Sequence, residues 1–325
     1  MSGSEISDGV WQFRLPLRYN PLGYTFSYYI VKIHTLVDAG EESDEARNAL
    51  KRQMEESGHR ITDVERVVLT HLHRDHIGLA DFVKSVSGAK ICAHEITGNV
   101  AGIEQNWRTL YESIREETRS FGGSDFLGLL SRFEGSLSRA VRTVDIDTFY
   151  EDGDPISSDE SSITVIWTPG HAPEHICLLD ADRRTIYSGD HVLPVITPHV
   201  SLHAYDEGDP LRDYMESLEK LERVEAEKVY PAHEFAFEGL KSRLTELRTH
   251  HNSRASEIVS IIGTGERTVF QVASKIKWKS RPWSLMPFWV KRMAAAETYA
   301  HLVFLRNRGR IREKVIYGIL FYGNI

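Results

Sequence analysis

Cysteine is scarce: Cys92 and Cys177 are the only two in 325 residues, and each sits inside an apolar run. A disulfide framework needs more cysteines, and a thiolate zinc site needs several close together, so both are excluded. Long apolar runs are lacking too, and no stretch approaches the roughly 20 residues of a membrane-spanning helix. The opening MSGSEISDGVWQFRLPL lacks the basic start and apolar core of a secretory leader. These absences lead to the expectation of a cytoplasmic protein in a reducing compartment, with no membrane partner. GxSxG is missing as well, which removes the nucleophile elbow of the serine hydrolases.

What is present describes an ordinary globular chain, 41% apolar and 26% charged. Its formal charge of −8 is unevenly spread. Residues 263–325 hold twelve Lys/Arg against three Asp/Glu, whereas the preceding residues hold 27 basic and 44 acidic side chains. A basic tail on an acidic body suits nucleic acid, docking on the body, or a second subunit. The acidic remainder repels a phosphate backbone, which weighs against nucleic acid.

YTFSYYIVKIHTLVDAG predicts two short strands ending at Gly40, and SDEARNALKRQMEESG predicts a helix capped by Ser43 with no capping-box partner at Ala46. ITDVERVVLTH is read as a strand, IGLADFVKSVSG as a helix and AKICAHE as a strand. The alternation predicts a layered α/β unit. Residues 99–140 interrupt it with helical pieces carrying Trp107, Tyr111, Phe121 and Phe126. These form either a small local core or a cap whose aromatic face lines an acyl or aryl pocket. SSITVIWTPG, HICLLDADRRTIYSGD and EKVYPAHE supply further strand-plus-turn units. Long helices and a terminal β-wing predict a second domain over 250–325, following a first domain over 1–249 that includes the 99–140 insertion.

The stretch THLHRDHIG places His71, His73, Asp75 and His76 within six positions. On an extended chain His71 and His73 point to the same side. Asp75 and His76 fall at the following bend, facing another direction, so the two pairs suit two adjacent ions. Imidazole and carboxylate donors favour Zn²⁺, with Fe or Mn as alternatives. TPGHAPEH, YSGDH and YPAHE add His171, Asp190 and His233, each at a strand exit.

With these motifs in this order, the chain resembles the metallo-β-lactamase superfamily over residues 20–240. The resemblance implies an αββα sandwich. It also implies a first ion on His71, His73 and His171, a second on Asp75, His76 and His233, and Asp190 bridging the two. Asp38 in LVDAG resembles the early aspartate that orients a ligand histidine. The implied chemistry is hydrolysis by a hydroxide shared between two divalent ions, with Asp75 helping to orient the water and His191 as a candidate proton donor or oxyanion contact. Packing of its turn is the stronger reading for His191. YPAHE departs from many relatives, in which Gly precedes the last histidine, but Ala232 is small enough to keep His233 in place.

The expected substrate is a small acyl compound: a thioester, another hydrophobic ester or a lactone. Competing readings are a single-stranded RNA endoribonuclease or phosphodiesterase, and a non-enzymatic metal-dependent binding or regulatory protein. His199 and His203 are candidates for the rim of the cleft, and Arg74 for a salt bridge that anchors its turn. The C-terminal segment resembles the winged-helix-like domain of one hydrolase branch. Its apolar helices favour packing or homodimer formation over DNA binding.

Overall fold

The computed structural model describes residues 3–18, 20–98, 107–131, 144–157, 163–202, 208–279 and 281–325. The chain divides into two compact units. The first draws on Met1–Ala101, Arg142–Pro198 and Glu219–Leu244, and the second on Gly102–Val141, His199–Leu218 and Thr245–Ile325.

In the first unit, seven strands form a sheet in sequence order: β1 (Ser4–Ser7), β2 (Val10–Pro16), β3 (Tyr24–Ile30), β4 (Thr35–Val37), β5 (Arg66–Val68), β6 (Lys90–His94) and β7 (Thr148–Tyr150). Pairing is antiparallel through β4 and parallel from β4 to β7. A second sheet runs in the order β12 (Phe237–Glu238), β11 (Lys228–Pro231), β10 (Thr185–Gly189), β9 (Ile176–Asp180), β8 (Ile163–Trp167).

Side-chain alternation decides how the layers stack. On β3, Phe26, Tyr28 and Ile30 join Val37, Val68 and Cys92 against Val165, Leu178, Tyr187 and Tyr230 of the second sheet. Tyr29 points the other way, into a core with Leu36, Val67 and Ile91. That core is closed by Leu50 and Met54 of α1 (Asp44–Glu56) and Val83 of α3 (Ala80–Ser87), with the short α2 (Arg74–Ile77) between those helices in sequence. Ile186 and Val229, next in register to Tyr187 and Tyr230, are fully buried on the far face of the second sheet.

Local signals hold where they are strong. Ser43 Oγ accepts from the Ala46 N–H at 3.1 Å, a cap contributing about 1 kcal/mol. The strand expected across ITDVERVVLTH shrinks to Arg66–Val68, because Ile61–Asp63 forms a 3₁₀ turn whose Asp63 carboxylate accepts from the Arg60 N–H.

In the second unit, α4 (Trp107–Ser120), α5 (Leu127–Leu130), most of α7 (Leu240–Ile262), α8 (Val269–Ala273) and α9 (Phe288–Asn307) accompany a three-stranded antiparallel sheet. Its order is β13 (Glu266–Thr268), β15 (Ile319–Asn324), β14 (Ile311–Ile316). Helix α6 (Pro210–Leu221) and helix α7 each carry the chain from one unit to the other. The β14–β15 hairpin turns through Tyr317 and Gly318, both at positive φ (50° and 77°), as a twist-matched two-residue turn requires.

Of the aromatic residues read as belonging either to a small core or to a cap pocket, Tyr111, Phe121 and Phe126 pack into this unit. Phe121 is 2% exposed, with its ring 4.7 Å from that of Tyr299. Phe126 stacks on Phe270 at 5.1 Å and on Phe288 at 5.5 Å. Tyr111 joins the cluster of Ile114, Leu130 and Phe288. An apolar helical face needs burial whatever its partner, and here its partners are core side chains. The Trp107 side chain, His203 and residues 99–106 and 132–140 lie outside the described residues.

Candidate metal centre

The loop after β5 is shaped by Asp38, which itself sits in left-handed backbone (φ 56°) just past β4. Asp38 Oδ1 accepts from the Thr70 N–H at 2.8 Å, and the Thr70 hydroxyl reaches Oδ2 at 2.9 Å. His76 Nδ1 lies 2.7 Å from Asp38 Oδ2, and the Ala39 N–H donates to the His76 carbonyl at 2.7 Å. The two loops touch so closely that a Cβ on Gly78 would stand 2.1 Å from the Glu42 nitrogen. A buried carboxylate therefore holds both the backbone before His71 and the ring of His76.

Seven donors converge. His71 Nε2 is 2.9 Å from His73 Nδ1, and His171 Nε2 is 3.0 Å from the same atom. Asp190 Oδ2 lies 3.6 Å from His171 Nε2, while its other oxygen, Oδ1, lies 3.7 Å from His76 Nε2 and 3.3 Å from His233 Nε2. Asp75 completes the second group, at 3.5 Å from His233 Nε2 and 3.9 Å from His76 Nε2. His71, His73, His171 and Asp190 form one candidate ligand group, and Asp75, His76 and His233 form the other.

Two observations fit divalent ions to these groups. Donors bound tetrahedrally at about 2.1 Å from one ion stand about 3.4 Å apart, close to the spacings observed. His76 Nε2, His233 Nε2 and Asp190 Oδ1 are also buried without a hydrogen-bond partner, an arrangement that is costly unless a cation satisfies them. The opposite ring nitrogens are engaged: His76 Nδ1 by Asp38, His71 Nδ1 by Thr70 Oγ1 at 3.0 Å, and His233 Nδ1 by the Tyr24 carbonyl at 3.0 Å.

Electrostatics show where the site favours positive charge and where it favours a neutral ring. Burial works against charge on His76, but Asp38 and Asp190 outweigh it and raise its pKa well above the usual value. Burial likewise opposes ionisation of Asp190, yet His233 and His76 hold its carboxyl well below the usual range. Burial and the neighbouring rings push His71 well down, leaving a neutral imidazole suited to coordination.

Several supporting residues carry no motif in the sequence. Glu174 Oε1 accepts from the Leu72 N–H at 2.9 Å, fixing the chain between His71 and His73. His175 Nδ1 lies 2.9 Å from Thr168 Oγ1, and its Nε2 accepts from the Asp190 N–H at 3.2 Å. Gly189, at φ 49°, leaves room for this contact, since a Cβ there would sit 2.6 Å from His175 Nε2. Only their adjacency to the ligands in HAPEH and SGDH hints at these roles.

His191 is fully buried, with its ring 5.5 Å from that of His175. Burial pushes its pKa down to about 3, so at neutral pH it is not an imidazolium acid, and packing of the turn is the role this burial supports. His199 belongs to the second unit, where its Nδ1 lies 3.4 Å from Glu297 Oε2. Arg74 makes the anticipated ion pair, with Glu41 at 3.4 Å.

The sequence model of the metallo-beta-lactamase superfamily matches residues 20–233, about two thirds of the chain. The chain belongs to this superfamily. Among its relatives, the Bacillus subtilis (strain 168) protein named Probable metallo-hydrolase YqjP is 28% identical over 258 residues, covering 76% of this chain and 79% of that one. A Caenorhabditis elegans Beta-lactamase-like protein 2 homolog is 24% identical over 77% of this chain and 68% of its own. A metallo-beta-lactamase family protein from Thermus thermophilus superposes with a TM-score of 0.84 at 25% identity, over 99% of this chain and 100% of that one. The fold is thus the αββα sandwich of the superfamily, with an added helical region. Among the described residues, no helix is long and apolar enough to cross a membrane.

Proposed function

We propose that this superfamily member is a binuclear metal-dependent hydrolase acting on a thioester or another hydrophobic ester or lactone. The observation that carries this reading is Asp190, whose two oxygens face two separate groups of histidine and carboxylate donors. Two divalent ions held there, zinc being the best match to the donor set, would bring a water between them to near-neutral pKa and polarise the oxygen of an acyl group. The chain's own residues supply the rest. Asp38 and Thr70 lock the donors in orientation, and Glu174 and His175 fix the loops that carry them. Asp75, at 21% side-chain exposure, is the ligand carboxylate more open to solvent and suits the orientation of water.

With Phe121 and Phe126 spent in a core, support for an apolar substrate comes from Phe235, which is 53% exposed only two residues past His233. Metal-loaded and chelator-stripped protein should be compared on an acyl thioester, a lactone, a β-lactam and single-stranded RNA. The expected result is thioester hydrolysis that follows bound metal. RNA cleavage would transfer the reading to a phosphodiesterase, and no metal-dependent turnover of any substrate would overturn it.

A further inference from the structure

Isolated exposed apolar side chains are ordinary. Two of them in the first unit, Val195 and Ile196, are held in a way that ordinary surface residues are not, and a third, Phe235, directly follows the residue that holds them. Val195 is 61% exposed, Ile196 37% and Phe235 53%. Residues 195 and 196 lie outside helix and strand, yet side chains grip their backbone on both polar sides. Glu234 Oε2 accepts from the Val195 N–H at 2.9 Å and from the Ile196 N–H at 3.1 Å. Arg243 Nη2 donates to the Val195 carbonyl at 3.0 Å and to the Ile196 carbonyl at 2.8 Å, and Arg243 Nε donates to the Leu193 carbonyl at 2.7 Å. Hydrogen bonds to ionised groups are the stronger kind, so this segment is pre-organised rather than loose.

The same device connects to the metal centre. Glu234 follows His233 directly and adopts left-handed backbone at φ 71°, which is unfavourable for a residue with a Cβ. Tyr24 braces that turn at both residues: its carbonyl accepts from His233 Nδ1 at 3.0 Å, and its hydroxyl donates to the Glu234 carbonyl at 2.7 Å. Strained backbone next to a candidate metal donor is thus joined to a clamped segment that presents β-branched side chains to solvent.

We propose that Val195, Ile196 and Phe235 form a ridge that seats the hydrocarbon part of the acyl substrate, with Glu234 and Arg243 as positioning residues. This rests on the hydrolase reading above and narrows its substrate class to acyl groups with an extended hydrocarbon chain. A ridge contacts one side of a chain, so each added methylene should improve binding about twofold, below the roughly fourfold of full burial.

The test uses zinc-loaded full-length protein and acetyl, hexanoyl and decanoyl pantetheine thioesters. In the wild type, kcat/KM should rise about sixteenfold from hexanoyl to decanoyl. The Ile196→Ser/Phe235→Ser double variant should lose most of that preference, whereas Phe149→Ser, at a 50% exposed position on β7, should keep it. Glu234→Gln, which keeps the shape but weakens the clamp, should show an intermediate preference through KM rather than kcat. Equal preference in wild type and double variant would overturn the proposal, as would a change in oligomeric state without a change in preference. Calorimetric binding of decanoate against acetate separates the two readings. If neither the thioesters nor the lactone, β-lactam and RNA named above are turned over, but the wild type binds decanoate more tightly and the double variant does not, the hydrolase reading fails and the ridge stands. Equal binding of the two acids by the wild type removes the ridge.

Discussion

In the first unit, His71, His76 and His233 are buried with donor nitrogens converging on carboxylates. In the second, His251 and His301 are buried with nitrogens turned on each other. His251 Nδ1 lies 3.3 Å from His301 Nε2, and His301 Nδ1 donates to the Glu297 carbonyl at 2.9 Å. That tautomer makes His301 Nε2 an acceptor and leaves the lone pair of His251 Nε2 buried without a partner. The Glu297 carboxylate is taken by His199 at 3.4 Å and Arg254 at 3.8 Å. Among the described residues only the first unit gathers groups of three or more ligand atoms. Burial of histidine is common to both clusters. A metal centre needs, in addition, free carboxylate oxygens and opposite ring nitrogens that are already engaged.

The sharpest way to break this comparison is Asp190→Asn. Losing the shared carboxylate should lower bound metal from two ions per chain toward one and cut hydrolysis by ~10³-fold, ~4 kcal/mol of transition-state stabilisation. Metal content by mass spectrometry beside kcat/KM checks it. The His251→Leu/His301→Leu double variant should keep its full metal content, and loss of metal from that variant would erase the distinction.

Asp38→Ala tests the engaged nitrogens with a smaller effect. Its carboxylate holds the His76 ring and the Thr70 N–H but belongs to neither ligand group. Metal affinity should fall about 10- to 100-fold while saturating metal restores most activity. Competition with a chromophoric chelator measures it, and unchanged affinity would mean that the ring is fixed by packing alone.

The same contrast explains what the sequence could disclose. The seven candidate ligands are legible because each sits in a short string at a strand exit, where a buried imidazole or carboxylate has few other uses. The supporting residues are not, because their roles arise across long separations. Glu174 meets Leu72 from 102 positions away, and Arg243 meets Val195 from 48. Strand β2 is also hard to read, although Phe13 and Leu15 alternate with Gln12 and Arg14. Its short apolar run has little to distinguish it from a loop before its partners are known. The aromatic face of 107–131 shows the limit most clearly. Amphipathic spacing states that Phe121 and Phe126 are buried, but not whether a substrate or Phe270 and Tyr299 will cover them. In the second unit, the helices and terminal hairpin are legible from length and turn residues, whereas their company with 107–131 is not.

The smallest expected effect concerns the second cluster and depends on pH. Burial pushes the pKa of His301 down to about 4 and that of His251 well below the usual value; neighbouring His250 and Arg254 add to both shifts, and Glu297 opposes them. Both groups therefore stay neutral in the folded chain under conditions where the unfolded chain takes up protons. Stability from this source is complete above the unfolded value of about 6.5 and drains away as pH falls toward the folded value. By pH 5, His301 alone should cost about 2 kcal/mol. Urea unfolding of zinc-loaded protein at pH 7 and pH 5 should show that loss in the wild type and a smaller one in the His251→Leu/His301→Leu variant, which has neither group to protonate. Parallel pH curves would mean that this pair charges without opening its surroundings, and the contrast between a histidine cluster built to bind and one built to pack would lose its energetic basis.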